Sequence, residues 1–273
     1  LAELISIIVA TYNREDALDA VLRSLAAQTD PDFEVIVADD GSRPSTAAVV
    51  ESWKGKIGRK VEHVWHEDQG FRLAEIRNRA ILAAHGAYCI FLDGDCIARP
   101  NFVAVHRRLA ERGWFVTGNR ILLSSALTRL VLAEHQAPGA WGFTRFVAER
   151  MRGGVNRLLA MLSIPLGPLR KLRQRAWRSA RACNLAVWRS DLDRVDGFDA
   201  DYSGWGREDS DILVRLLRSG VRRKDGIFAT GVLHLWHAEA DRSALAENER
   251  KLGAIISGER IRARRGLSAM GTN

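Results

Sequence analysis

The sequence predicts an α/β fold: a mostly parallel sheet flanked by helices, with one basic helical insertion. Three observations predict it. Short β-branched apolar runs alternate with amphipathic helical stretches through the first 120 residues. Three of those runs end in polar clusters, at Thr11-Tyr12-Asn13, Asp39-Asp40 and Asp93-Gly94-Asp95. A stretch from 145 to 181 then holds ten basic residues against the single acid Glu149.

The elements follow in order. Residues 5–9 (ISIIV) form a first strand, and Ala17, Leu18, Val21, Leu22 and Leu25 mark one face of a helix that ends before Pro31. Residues 33–38 form a second strand and residues 61–65 a third, weaker one. A helix spans about 73–84, with Gly86 as its stop, and residues 88–92 form the fourth strand. Pro100 opens a further helix, which Gly113 ends. Beyond the insertion, residues 185–188 read as a strand and residues 197–199 as a turn. A helix over 208–218 has Ile212, Leu213, Leu216 and Leu217 on one face, and residues 226–236 hold another strand. The tail after Ala244 reads as helical and turns basic at Arg260, Arg262, Arg264 and Arg265. Four units are expected: 1–120, the insertion 121–180, 181–240 and the basic tail 241–273.

Composition narrows the function. With 273 residues, 47% of them hydrophobic, the chain can bury a sizeable core. No stretch reaches the ~18 apolar residues of a membrane span. The opening LAELISIIVATYN lacks a basic leader region and a cleavage site, so it reads as a strand rather than a signal peptide. Cys89, Cys96 and Cys183 are odd in number and lack zinc spacing, which points to reduced thiols and a cytoplasmic protein. Cys96 reads as a small buried filler. The formal net charge of +8 favours an anionic partner: nucleic acid, an acidic membrane surface or a phosphorylated substrate.

Ligands of such sheets bind at the carboxyl ends of the strands, so the three polar clusters are expected on one rim. Asp-X-Asp at a strand end suits Mg²⁺ or Mn²⁺, which take carboxylates together with substrate phosphates. The glycine between the acids would let a ligand approach the backbone; the bland alternative is an acidic turn. Asp40 could accept hydrogen bonds from a base or a ribose, and Arg72 and Arg77 could neutralise a diphosphate with forked hydrogen bonds. The stretch Gly204-Trp205-Gly206-Arg207-Glu208-Asp209-Ser210-Asp211 opens a helix. The helix dipole explains acids there, but not a tryptophan between glycines. Trp205 suits a sugar face, and Asp209 would be held ionised, as a general base must be. His234 and His237 follow a strand and are metal candidates. In an extended chain, residues three apart face differently, which favours one ligand of the two. Apolar residues interleave with the bases over 141–178. That segment is either an amphipathic binder of a membrane surface or a helical excursion packed on its own domain.

The stretches ISIIVATYNRED, FEVIVADDGS, QGFRLAEIRNRAI and YCIFLDGDCI resemble the nucleotide-sugar-binding half of family 2 glycosyltransferases, which have the GT-A (Rossmann-like) fold. GFDADYSGWGREDSDILVRLLRSG resembles the acceptor-side segment shared with β-1,4-galactosyltransferases and chondroitin-polymerase-type enzymes. The resemblance covers residues 4–118 and 180–240. It implies that 1–120 holds the nucleotide-sugar and 181–240 the acceptor. It implies that Tyr12 and Asp40 hold a uracil lined by Ala10 and Thr11, with Arg72 and Arg77 near the diphosphate and Asp93 at the ribose side. Asp95 and His237 would bind Mn²⁺ or Mg²⁺, with His234 a further candidate where galactosyltransferases carry a methionine. Trp205 and Glu208 would hold the sugars, and Asp209 would be the base. Ser210 departs from the third acid common in relatives, and Cys183 from a common glycine.

The implied reaction is an inverting, metal-dependent transfer of a hexose or N-acetylhexosamine from a UDP-sugar. The implied acceptor is a glycan or glycolipid of lipopolysaccharide or capsule type, reached from the cytoplasm or from the inner face of the cytoplasmic membrane. Three other classes fit parts of the sequence. A non-catalytic nucleotide-sugar- or glycan-binding module would not need Asp209. A nucleic-acid-binding protein would show steep salt dependence. A nucleotidyltransferase has no use for the Gly-Trp-Gly-x-Glu-Asp segment. The expectation is an enzyme with no nucleic-acid partner.

Overall fold

Strand β1 (Ile5–Thr11) is buried along its whole length, which explains why its sequence is mostly apolar rather than an alternation. The computed structural model describes residues 3–178 and 180–271. After β1 come α1 (Glu15–Ala26), β2 (Phe33–Asp39), α2 (Pro44–Trp53), β3 (Val61–Trp65), α3 (Leu73–Ala83), β4 (Tyr88–Asp93), β5 (Cys96–Ile97) and α4 (Phe102–Leu109). Then follow β6 (Trp114–Thr117), β7 (Arg120–Leu122), α5 (Ser125–Ala133), α6 (Phe143–Met151), β8 (Asn184–Trp188) and α7 (Arg189–Val195). The last elements are α8 (Glu208–Arg218), β9 (Arg222–Asp225), β10 (Val232–His234) and α9 (Leu245–Ser257).

Seven strands form one sheet in the order β3-β2-β1-β4-β8-β6-β9. The pairs β2–β3, β1–β2, β1–β4 and β6–β9 are parallel, and β8 runs antiparallel to both neighbours. Strands from before and after the insertion thus stand side by side. A small second sheet has the order β5-β10-β7. Successive residues of β1 and β2 serve opposite faces. Ile7, Val9, Val35 and Val37 join one core with Leu18, Leu22 and Leu25 of α1. Ile8, Ile36 and Ala38 join the other, with Ile76 and Ile81 of α3 and Ile212, Leu213 and Leu216 of α8.

The register settles the rim. Thr11 pairs with Asp39, and Ala10 with Asp93, so the polar strand ends lie level, as expected.

The insertion differs from expectation. Within 141–178 only α6 is α-helical; short 3₁₀ turns follow at Leu159–Met161 and Gly167–Lys171. Gly153, Gly154, Pro165, Gly167 and Pro168 are the physical reason, because they interrupt the helix that the interleaved pattern suggests. The buried Arg170 pins this irregular chain, donating to the carbonyls of Asp225, Ile227 and Ile164 at 2.9, 2.7 and 2.8 Å. The strand expected over 226–236 contracts to β10, because Gly226 accepts from the backbone of Ala229 and Thr230 in a turn. The tail straps back: Asp199 accepts from the backbone N–H of Arg264 and Arg265, and Asp196 from that of Ser268. All three cysteines are free and buried. Among the described residues no helix is long and apolar enough to cross a membrane.

Candidate active site

The rim begins where β1 and β2 end. Asn13 sits in the left-handed region (φ 47°) and ties the two loops together. Its N–H donates to Ser42 Oγ at 2.8 Å, and its Oδ1 accepts from Arg43 N at 3.0 Å. Ala10 and Thr11 are buried at the end of β1, while Tyr12 is 48% exposed. The Tyr12 hydroxyl donates to Asp68 Oδ2 at 2.9 Å, and that bond raises its pKa. Asp40 is buried with both oxygens taken, by His66 Nε2 at 2.7 Å and Arg72 N at 2.9 Å. Asp40 is thereby held in place at the rim, each oxygen keeping a further lone pair, and the exposed acid beside Tyr12 is Asp68. Sequence reading missed His66 and Asp68. They follow β3, and the strand-end rule that found the other clusters would have found them too.

The two arginines divide. Arg72 faces its own neighbourhood, with Nη1 3.4 Å from Glu75 Oε1 and Nη2 donating to the Glu67 carbonyl. Arg77 is only 2% exposed, borders the open space at the rim and holds two carboxylates. Nη2 donates to Asp93 Oδ1 at 2.9 Å and Nη1 to Glu208 Oε1 at 3.4 Å. Burial pushes the Asp93 carboxyl up, and the Arg77 charge opposes it.

Pairing of β5 with β10 brings the metal candidates together. His234 pairs with Cys96, and Leu235 N donates to Asp95 O at 2.9 Å. Asp95 Oδ1 lies 3.6 Å from His234 Nε2, and Oδ2 lies 3.4 Å from His237 Nε2. One ligand atom from each residue falls within 4.8 Å of the others. Strand β10 ends at His234, and beyond it both histidines reach Asp95 although they lie three apart. His237 Nδ1 lies 2.6 Å from the Ala238 carbonyl, which can only accept, so the proton belongs on Nδ1 and the Nε2 lone pair is left towards Asp95. Burial lowers the pKa of His234, favouring the neutral, ligating form. One carboxylate and two imidazoles fit a first-row divalent cation better than Mg²⁺, which takes oxygen ligands.

Gly94 is also needed where the acidic turn meets β1. Its N–H donates to Ala10 O at 2.6 Å, and a Cβ there would sit 2.8 Å from that oxygen. The glycine lets the acidic turn press on β1.

The third part opens α8. Arg207 precedes the helix at φ 81°, a left-handed conformation costly for a non-glycine residue, and its Nη2 donates to Glu249 Oε1 at 2.6 Å. Trp205 is 38% exposed, with the Arg242 guanidinium 5.1 Å from its ring centroid. Glu208 is buried, and its Oε2 has no hydrogen-bond partner among the described residues. Burial first, and the charge of Asp209 second, push Glu208 up to about 7. Asp209 is half-buried, whereas Asp211 is fully buried against Arg215 at 2.6 Å. A cleft of about 310 Å³ is lined by Asp93, Trp205, Glu208 and Asp209, together with Arg120 and Arg181. Arg120 carried no sequence signal, and Arg181 was noted only as the end of the basic stretch. Cys183 forms part of the same wall.

A model of glycosyl transferase family 2 matches residues 6–157, more than half of the chain. The chain belongs to glycosyl transferase family 2. The sequence resemblance is thereby borne out, and a second model, described as the N-terminal domain of galactosyltransferase, matches residues 171–237 of this family 2 chain. It is 30% identical over 235 residues to validoxylamine A glucosyltransferase of Streptomyces hygroscopicus subsp. limoneus, covering 80% of this chain and 49% of the relative. It is 25% identical over 237 residues to chondroitin synthase of Escherichia coli, covering 79% and 32%. The family 2 chain thus spans about half or less of the length of these curated relatives.

Among solved structures, the mannosyltransferase PcManGT from Pyrobaculum calidifontis, in complex with GDP-Man and Mn²⁺, superposes with a TM-score of 0.62 at 18% identity, over 98% of this chain and 69% of that one. S. aureus TarS 1-349 in complex with UDP gives 0.60 at 19% identity, over 93% and 66%. These likenesses show the GT-A fold.

Proposed function

We propose that this family 2 chain is an inverting, metal-dependent glycosyltransferase. It moves a hexose or N-acetylhexosamine from a UDP-sugar to a hydroxyl of a bacterial surface glycan, of lipopolysaccharide or capsule type, at the cytoplasmic face of the membrane. One observation carries this reading. The Asp95–His234–His237 cluster and the Trp205–Glu208–Asp209 cleft stand at the same rim, joined by Arg77 between Asp93 and Glu208.

Tyr12 and Asp40 hold the uracil, with Ala10 and Thr11 lining it, Arg72 and Arg77 lie near the diphosphate, and Asp93 faces the ribose side. A divalent cation held by Asp95, His234 and His237 would neutralise the charge that develops on the leaving UDP. Trp205 offers an apolar face to the acceptor sugar. Asp209 takes the proton from the acceptor hydroxyl, whose oxygen attacks the anomeric carbon from the face opposite the diphosphate. Glu208, whose carboxyl burial pushes up to about 7, donates a hydrogen bond from its unpartnered oxygen to a sugar hydroxyl in its protonated form.

The test is UDP release by purified protein with Mn²⁺ across a panel of UDP-sugars. Asp209→Asn is expected to lose roughly 10²- to 10⁴-fold in turnover while keeping UDP affinity. Asp95→Ala is expected to lose turnover and the metal-dependent part of UDP binding. Absence of UDP binding by the unaltered protein would overturn the reading.

A further inference from the structure

The four most exposed large apolar side chains among the described residues are Met151 (84%), Leu172 (75%), Leu159 (66%) and Leu169 (59%), all within one stretch of 22 residues. The chain from 150 to 181 also holds nine basic residues and no acid, leaving 32 basic and 33 acidic residues elsewhere. The entire excess of positive charge therefore resides here. Arg150, Arg157 and Arg175 are exposed and form no ion pair among the described residues.

The apolar side chains are held out by an anchored backbone. Arg170 is buried against three carbonyls, Ile164 N donates to Phe228 O at 2.9 Å, and Arg99 Nη1 donates to Met161 O at 2.9 Å. An anchored loop that turns aliphatic side chains into water keeps a standing hydrophobic cost unless something covers them.

We infer that the anchored stretch bearing the exposed Leu159, Leu169 and Leu172 and the neighbouring arginines docks on an anionic lipid bilayer. Charge complementarity selects the occupant. Guanidinium groups suit lipid phosphates, and aliphatic side chains suit the acyl boundary just below them. A nucleic acid would match the charge but leave the aliphatic groups unused, and residues 151–172 contain no aromatic side chain on which a base could stack. Docking has a purpose at this place. The same segment runs on through Arg178 into Arg181, Ala182 and Cys183, which form a wall of the cleft. The inference rests on the proposed transfer to a lipid-borne glycan and names the surface that brings the cleft to it.

The experiment is co-sedimentation of the protein with phosphatidylcholine vesicles, with and without phosphatidylglycerol, beside the triple variant Leu159→Glu/Leu169→Glu/Leu172→Glu. All three positions are exposed, and a thermal melt with UDP calorimetry reports that the variant is folded. The protein is expected to pellet with the phosphatidylglycerol vesicles and not with phosphatidylcholine alone. The triple variant is expected to bind them at least about tenfold more weakly. Failure of the unaltered protein to pellet, or equal pelleting of the triple variant, overturns the docking inference. So does retention by single-stranded oligonucleotide with no vesicle binding. UDP binding and release are read in the same samples, so loss of docking with UDP release intact leaves the transferase reading standing.

Discussion

Arg77 Nη2 donates to Asp93 Oδ1 at 2.9 Å, and this bond fastens helix α3 to the end of β4 beneath the cleft. The same guanidinium reaches Glu208 at the start of α8, so one buried cation sits between the two sides of the site.

Removing that cation strands two carboxylates. Arg77→Met is expected to cost on the order of 3–5 kcal/mol, read by urea denaturation, because breaking a buried pair leaves uncompensated charge. Arg77→Lys keeps the charge but not the fork, and falls between. A variant as stable as the parent would show that Arg77 does not organise the site.

The raised pKa of Glu208 makes stability depend on pH. Between its ordinary 4.5 and its folded value of about 7, the folded chain holds a proton that the unfolded chain has released. Stability from this group is therefore fully present below about pH 4.5 and declines as pH rises towards 7. Glu208→Gln is expected to flatten that decline, by a difference on the order of 2–4 kcal/mol between pH 4.5 and 8. Parallel stability curves for the two proteins would contradict the assignment.

Both histidines are expected to matter for metal. His234→Ala and His237→Ala should each weaken Mn²⁺ binding by at least about tenfold, measured by paramagnetic resonance of the free ion. Acidification should release the metal as the imidazoles take up protons. An unchanged affinity in His234→Ala would leave His237 and Asp95 as the protein ligands.

Gly94 tests how tightly the acidic turn seats on β1. Gly94→Ala is expected to destabilise by about 1–3 kcal/mol through its contact with Ala10 O, and to weaken Mn²⁺ binding by displacing Asp95. Gly253→Ala is the control: it lies in α9 with nothing near its added carbon and should stabilise by about 0.5–1 kcal/mol.

Strands β1, β2 and β4 were legible because burial on both faces leaves a mostly apolar run, interrupted by the buried pair Ser6–Glu34, and the level rim followed from where those runs stop. The irregular chain after α6 was not legible, because interleaved apolar and basic residues mimic a helical period while proline and glycine decide the backbone. Asp95 and His237 were readable from motifs. His234 was named as a candidate as well, but that both histidines reach Asp95 depends on pairing of β5 with β10, which no local pattern reveals. The carboxylate partners of Arg77 were not legible, because they lie 16 and 131 residues away in sequence and are met only in the fold.

The sheet order also constrains how the protein can be made. Strand β8 fills the gap between β4 and β6, yet it comes after both in the chain. During synthesis β4 therefore keeps an open edge until residues 184–188 leave the ribosome. The aliphatic, basic stretch before β8 emerges in that same interval. The nascent chain passes through a stage with an unpaired strand edge and an adhesive loop exposed together, the point at which a chaperone would be needed most.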